Sequence, residues 1–493
     1  MMDGNLLLGA ALALPVTGAL LIAATGKWPN LREAVTLSTG GLLLLAVLTI
    51  YSDLEEGARP ALTLVETLPG LPIALAVEPL GMLFALLASF LWIVTSIYSI
   101  GYMRAHGESH QTRFYVCFAV ALSSTIGVAF AANMFTLFVF YEVLTLSTYP
   151  LVTHSGSDEA RRAGRVYLGV LLGTSIGLLL VAIIWTWSLT GTLDFTEGGI
   201  LRGEASPMLI GVLYAMYVFG IGKAALMPFH RWLPAAMVAP TPVSALLHAV
   251  AVVKAGVFAI LKVSIYVFGV DYLKEIGAGT WLVYVAGATV IIASLVALSK
   301  DNLKARLAYS TVSQLAYVVI AAAVLTPLSV MGATLHIVAH AFGKITLFFA
   351  AGSIYTAAHK TEVSQLNGIG RRMPWTMAAF AVGALSMVGL PPTFGFVSKW
   401  YILLGALETE QLVVVGVIFA STLLNAAYFL PIVYAAFFRP IPAEAHDAGH
   451  GSHGEAPLAM VAALVVTALG TVVLFLLPDL SIPLARQLAE VAP

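Results

Sequence analysis

Charge is scarce in this 493-residue chain, with Asp, Glu, Lys and Arg together making only 10%, and cysteine occurs once, at Cys117. One cysteine excludes an internal disulfide and any cysteine-built metal cluster, and Cys117 reads as a packing residue. So few charges cannot cover the surface of a soluble protein of this length. With 60% hydrophobic residues and a mean hydropathy of +0.94, the composition is that of a polytopic membrane protein. No basic leader or small-residue cleavage site accompanies the first apolar run, which reads as a retained helix rather than a signal peptide. No second soluble domain interrupts the apolar runs, and the longest polar segments are 51–78, 190–206, 357–374 and 439–457. No nucleic-acid partner is expected.

What is present is a recurrence of apolar stretches of about 18 residues or more, each long enough as a helix to cross a hydrocarbon core of roughly 30 Å. About fourteen can be counted, so the expected fold is an all-α polytopic membrane protein of about fourteen transmembrane helices. With the N-terminus outside, fifteen Lys and Arg fall in inward loops and only Arg59, Arg202, Lys274 and Arg486 in outward ones. Lys223, Lys254, Lys262, Lys344 and Lys399, in or at the edges of spans, complete the 24. That asymmetry orients a multi-pass chain in the cell inner membrane. The outward loops are acidic, with Asp53, Glu55, Glu56 and Glu66, then Asp194, Glu197 and Glu204. Segment 51–78 has β-branched residues between Gly and Pro breaks and is expected to form an external hairpin. The inward loop at 439–457 gathers His446, His450 and His453. A solvated linker is the plainer reading there, and a weak metal site the alternative.

Two spans look interrupted. One carries GKAALMPFHRWLP after Lys223, and the other carries GLPPTFGFVSK up to Lys399. Breaks at membrane depth persist only where protein or water satisfies the freed backbone groups. The seventh and twelfth spans lie five apart, which suggests two five-helix repeats, and an odd number of spans per repeat inverts one against the other. The expected division is 1–110 for the N-terminal helices and external loop, 111–270 and 271–438 for the two repeats, and 439–493 for the histidine loop and last span.

Ionisable residues are immersed in these apolar runs: Glu142 in NMFTLFVFYEVLTLSTYPLV, Lys223 in PMLIGVLYAMYVFGIGKAALMPF, Lys254, Lys344 and Lys399. A lysine at the centre of a span costs about 3 kcal/mol even on insertion scales, and is functional by default. The strings FYEVLTLSTYPLV, GKAALMPFHRWLPAAMVAPTPVSALLHAVAVVKAG, KARLAYSTVSQLAYV, HIVAHAFGKITLFFAAGS and GLPPTFGFVSKWYIL resemble the antiporter-like subunits of respiratory complex I, membrane-bound hydrogenases and multisubunit Mrp cation/proton antiporters. The resemblance covers roughly residues 75 to 435 and implies fourteen helices with inverted five-helix repeats. The length, and the single span after the histidine loop, are similar to the D-type subunit of Mrp antiporters. The middle complex I subunit carries glutamate where this chain has Lys399, so the lysine favours the Mrp type. The alternative is a proton-pumping subunit of a complex I-type dehydrogenase or membrane-bound hydrogenase.

The resemblance implies site residues one by one: Glu142 on the fifth helix, Lys223 at the break of the seventh, Lys254 on the eighth with His248 before it, Lys344 with His336 and His340, and Lys399 on the twelfth. The sixth-helix acid found in some relatives is missing from YLGVLLGTSIGLLLV. It further implies partner membrane subunits of A, B, C, E, F and G type, protons as cargo, no cofactor, no resident metal, and a transporter subunit rather than an enzyme by itself.

The chemistry stands without the family. Removal from water disfavours an ammonium and a nearby carboxylate favours it, so Glu142 moving toward or away from Lys223 would switch proton holding and release. Histidine, with an ordinary pKa near 6.5, suits a relay. His336, His340 and Lys344 follow the i, i+4 spacing on one helix face. Lys254 and His248 lie six residues apart, within reach of a hydrated relay. Plainer readings apply elsewhere: Lys262 snorkels to an interface, and Arg161, Arg162, Arg165, Lys300, Lys304 and Arg306 set topology. Haem held by His248, His336, His340 and His359 is the rival of another class, disfavoured because the interleaved lysines would crowd positive charge at the cofactor. Passage of sodium through this chain is left open, since Glu142 is the one well-buried carboxylate foreseen to offer oxygen ligands.

Overall fold

The computed structural model describes residues 4–441 and 454–491. The first six helices are α1 (Gly4–Ala24), α2 (Pro29–Glu55), α3 (Pro79–Ala105), α4 (Gln111–Ala129), α5 (Met134–Val152) and α6 (Asp158–Thr190). There follow α7 (Pro207–Gly220), α8 (Thr241–Phe268), α9 (Thr280–Ser299), α10 (Leu303–Val324) and α11 (Pro327–Ala358). The chain continues through α12 (Pro374–Val388), α13 (Phe394–Glu408), α14 (Leu412–Phe438), α15 (Leu458–Leu476) and α16 (Ile482–Val491). Among the described residues twelve helices are long and apolar enough to cross a membrane, and α7 and α12 are shorter apolar helices. These are the fourteen spans expected, with the seventh and twelfth broken. His446, His450 and His453 lie outside the described residues.

Polar starts punctuate the apolar runs. Asn133 accepts the Thr136 N–H at 2.7 Å to open α5, Ser157 opens α6, and a reciprocal Thr326–Ser329 capping box opens α11. The expected hairpin is present as β1 (Ala61–Leu68) paired antiparallel with β2 (Leu71–Ala76). Its edge is tied to the start of α5, where the Asn133 amide donates to Pro72 O at 2.9 Å and Ala74 N–H donates to Thr136 Oγ1 at 3.0 Å. This side of the molecule is called the hairpin face below.

Successive spans alternate in direction, so α7 runs away from the hairpin face while α12 and α13 run toward it, and the two breaks are inverted relative to each other. The 18-residue apolar windows of α8 and α11 are 100% buried, against 33% for α6 and α14. The helices carrying His248, Lys254, His336, His340 and Lys344 are thus the central ones.

Candidate functional site

At the first break α7 ends at Gly220, a 3₁₀ turn covers Gly222–Ala224, and Ala225 takes a left-handed conformation with φ 54°. The freed backbone finds partners: Trp232 Nε1–H donates to Gly222 O at 3.0 Å, and Lys223 N–H donates to the Tyr141 hydroxyl at 3.0 Å. The Lys223 ammonium is fully buried. It donates to Tyr141 O at 2.7 Å and Thr145 Oγ1 at 2.5 Å, and lies 3.1 Å from the centre of the Tyr141 ring. Glu142 is expected to act by moving toward or away from Lys223. In the structure Glu142 forms no ion pair with Lys223, is half-buried, and keeps one carboxylate oxygen sequestered without a hydrogen bond among the described residues. The physical reason is local: Lys223 reaches α5 where a carbonyl, a hydroxyl and an aromatic face already satisfy its charge.

α8 presses on this break through Gly256, where an added Cβ would lie 2.2 Å from Ala224 N and 2.3 Å from Lys223 C. Only glycine allows the approach. Nearly two turns before it, α8 widens into a π segment at Leu246–Val250 that contains His248. Lys254 Nζ donates to the His248 carbonyl at 3.4 Å and makes a short hydrogen bond to His340 Nδ1 on α11. The His248 ring itself bonds nothing among the described residues; both nitrogens are buried and unpartnered, with the ring 4.7 Å from that of Phe348. His248 therefore lines the same interior without touching Lys254 through its side chain.

The second half is more closely connected. Lys344 Nζ donates to Ser310 Oγ at 2.7 Å, and the Tyr428 hydroxyl reaches the same oxygen at 2.9 Å and also contacts Asn425 Oδ1. Asn425 Nδ2 donates to Met387 O at 3.4 Å, and Lys399 Nζ donates to that same carbonyl at 2.8 Å and to Val388 O at 3.0 Å. Lys344 and Lys399 are so joined by a polar chain of α10, α14 and the end of α12. Lys399 caps the carbonyl end of α12, where the helix dipole favours a cation. Gly389, at φ 88°, provides the left-handed turn that exposes those carbonyls. His336 bonds Ser398 on α13 at 2.9 Å, and its ring lies 6.3 Å from that of His340.

Two other readings are corrected. Lys262 does not snorkel; it is fully buried, with its Nζ 2.6 Å from the Glu78 carboxylate and 2.8 Å from Ala131 O. Glu142 is not the one well-buried carboxylate, since Glu33 is 4% exposed between Arg32 and Arg104, and Glu78 is largely covered. Lys304 and Arg306, expected to set topology, are tied to backbone carbonyls. Lys304 Nζ donates to Ala239 O at 2.6 Å, and Arg306 donates to Lys300 O and Tyr428 O. Lys304 lines a cavity of about 370 Å³ on the face opposite the hairpin, together with His106, Glu108 and Lys360. Beyond the span end, burial and nearby His359 hold the His106 imidazole below its usual 6.5, and burial raises the Glu108 carboxyl. Thr145, Ser310, Asn425, Tyr428 and Glu78 were missed. Hydroxyl and amide residues are too common in apolar helices to be singled out without tertiary contacts.

A bundle of fourteen spans with two inverted breaks and a buried lateral series of ionisable groups defines a multi-pass membrane protein built to move small ions. The sequence profile described as NADH:quinone oxidoreductase/Mrp antiporter, TM, matches residues 131–425, and the chain belongs to that family. It is an antiporter-like, proton-translocating membrane subunit of the Mrp or complex I type. It is 33% identical over 469 residues to the N-type subunit of NADH-quinone oxidoreductase from Desulforudis audaxviator, covering 88% of this chain and 90% of that one. It is 26% identical over 428 residues to the D-type subunit of the Na(+)/H(+) antiporter from Alkalihalophilus pseudofirmus, covering 86% and 85%. Some other relatives are longer, and the chain spans only 50% and 40% of two of them. The fold is similar to a chain of the Mrp complex from Dietzia sp. DQ12-45-1b, with a TM-score of 0.88, 22% identity and coverage of 100% and 98%.

Proposed function

We propose that this chain is the proton-translocating subunit of a multisubunit monovalent cation (Na+)/proton antiporter, assembled with further membrane subunits and oriented with its N-terminus and hairpin face outside the inner membrane. The two repeats, 111–270 and 271–438, are joined as one route through Glu142, Lys223, Lys254, His248, His336, His340, Lys344 and Lys399. The observation that carries this is the hydrogen bond between Lys254 and His340, which links the ionisable groups of the first repeat to those of the second. An ammonium that alternates between a carbonyl–hydroxyl cradle and a carboxylate changes its proton affinity with small movements. At Lys223 the cradle is occupied, and Glu142 stands one residue along α5 from the Tyr141 carbonyl that forms it. Proton transfer then passes group to group, with water bridging gaps.

A second reading, membership of a redox-driven complex, is favoured by the 33% identity to an N-type oxidoreductase subunit over 90% of its length. Both readings use the same proton path. Identification of the chains that co-purify with this one separates them. The path itself is tested by Glu142→Ala and Lys223→Ala, each expected to abolish proton-coupled transport in the assembled complex reconstituted in vesicles. Lys223→Arg is expected to fail as well, because guanidinium stays protonated. Normal transport by either alanine variant would overturn the reading.

A further inference from the structure

Lys262 and Glu78 have no part in the series just described, yet among the described residues they are the one buried ion pair of α8. The pair joins two environments: the Lys262 side chain is 1% exposed and that of Glu78 17%. Both residues form part of the wall of a cavity of about 430 Å³ on the hairpin face, which Glu197, Arg59, Tyr266 and Glu490 also line. The charged groups facing the pair are therefore two carboxylates, Glu197 and Glu490, and one guanidinium, Arg59, a mouth of net negative charge that draws cations. Inward, Lys262 Nζ lies 5.5 Å from the ring of Phe258, which packs 5.0 Å from Phe84. Lys254 is eight residues back on the same helix, about 12 Å along the axis. A purely structural pair has no advantage here, since apolar residues of similar volume serve a dry core as well or better.

We propose that the Glu78–Lys262 pair is where the proton route of the first repeat meets the aqueous phase on the hairpin face, with Phe84 and Phe258 as the apolar plug behind it. This rests on the proton-path reading above. A hydronium in the cavity gives its proton to the Glu78 carboxylate and leaves as water. Lys262, its counterion neutralised, passes one proton inward along a water chain admitted past Phe84 and Phe258 to the amine form of Lys254, and the Lys262 amine so formed takes the proton from Glu78. One proton has crossed and the ion pair is restored; the reverse sequence serves the opposite direction.

The test uses the assembled complex. Glu78→Gln, Lys262→Met and the neutral pair Glu78→Gln/Lys262→Met are each expected to lower proton-coupled transport at least tenfold. In a Cys117→Ser background, which leaves the ion pair intact, Tyr266→Cys is expected to react with an impermeant charged thiol reagent from the hairpin face, and Phe258→Cys to resist it. Normal transport by the neutral pair would make the ion pair structural and overturn the proposal. An unreactive Tyr266→Cys would overturn it too, whether or not the charge variants assemble. Lys223→Ala, run alongside, separates the failures. If it is inactive while the neutral pair is active, only the hairpin-face mouth falls; if it transports normally, the proton path falls and the mouth with it.

Discussion

Each buried lysine of the series is held by neutral oxygens, nitrogens and rings rather than by a carboxylate. Lys223 has Tyr141 and Thr145, Lys254 has His340 and the His248 carbonyl, Lys344 has Ser310, and Lys399 has two carbonyls at the end of α12. Such acceptors hold a proton without trapping it. On this arrangement Lys344→Ala and Lys399→Ala should each impair transport about as severely as Lys223→Ala, measured as vesicle acidification by assembled complexes. His336→Ala or His340→Ala alone should do less, because water can replace one group. Full activity of Lys399→Ala would move the far end of the route elsewhere.

At the scale of elements, the site depends on how closely α8 approaches the break after α7. Gly256→Ala places a methyl within 2.3 Å of two backbone atoms and forces the helix away. The expected result is a loss on the order of 2 kcal/mol, read as a lowered Tm of the purified protein, with Lys223 displaced from α5 and transport reduced. A second element contact lies outside the spans. Asp301 accepts the Ser364 hydroxyl at 2.7 Å and its N–H at 3.0 Å, pinning the α9–α10 turn to the segment after α11. The Ser364 hydroxyl, more than any other group, holds the Asp301 carboxyl below its ordinary 3.8. A carboxyl with a depressed folded pKa stabilises above its unfolded value, and that contribution disappears as pH falls through the folded one. Hydrogen exchange at residues 361–366 should therefore lose protection between about pH 4 and lower pH, and Asp301→Asn should remove the dependence.

Over the whole molecule, most loop Lys and Arg lie on one face, and a group of acidic residues marks the other. Arg104, Arg161, Arg371 and Arg439 lie opposite the hairpin, while Glu56, Glu66 and Glu197 share its face. With the positive face inward, Glu56→Cys and Glu197→Cys should be labelled from outside by an impermeant reagent, and Arg162→Cys only after permeabilisation. The reverse pattern would turn the molecule over. The central helices α8 and α11 carry most of the ionisable series, while α1, α2, α6 and α14 leave most of their apolar windows uncovered within this chain.

The amino-acid sequence by itself determined the class, the number of spans, the hairpin and the place of both breaks, because each is written in local hydropathy, spacing and Pro or Gly interruption. It also singled out the buried lysines, since a charge in an apolar run stands out against its neighbours. Only the tertiary structure decided what those lysines touch. Tyr428 and Asn425 join Lys344 to Lys399 from a helix more than 80 positions away from Lys344. Lys262 is buried because Glu78, remote in the chain, lies beside it at 2.6 Å. Glu142 is left apart from Lys223 because a carbonyl and a hydroxyl on α5 reach the ammonium first. The physical reason is that a hydrogen bond is settled by packing distances of a few tenths of an ångström, which hydropathy and spacing along the chain do not encode.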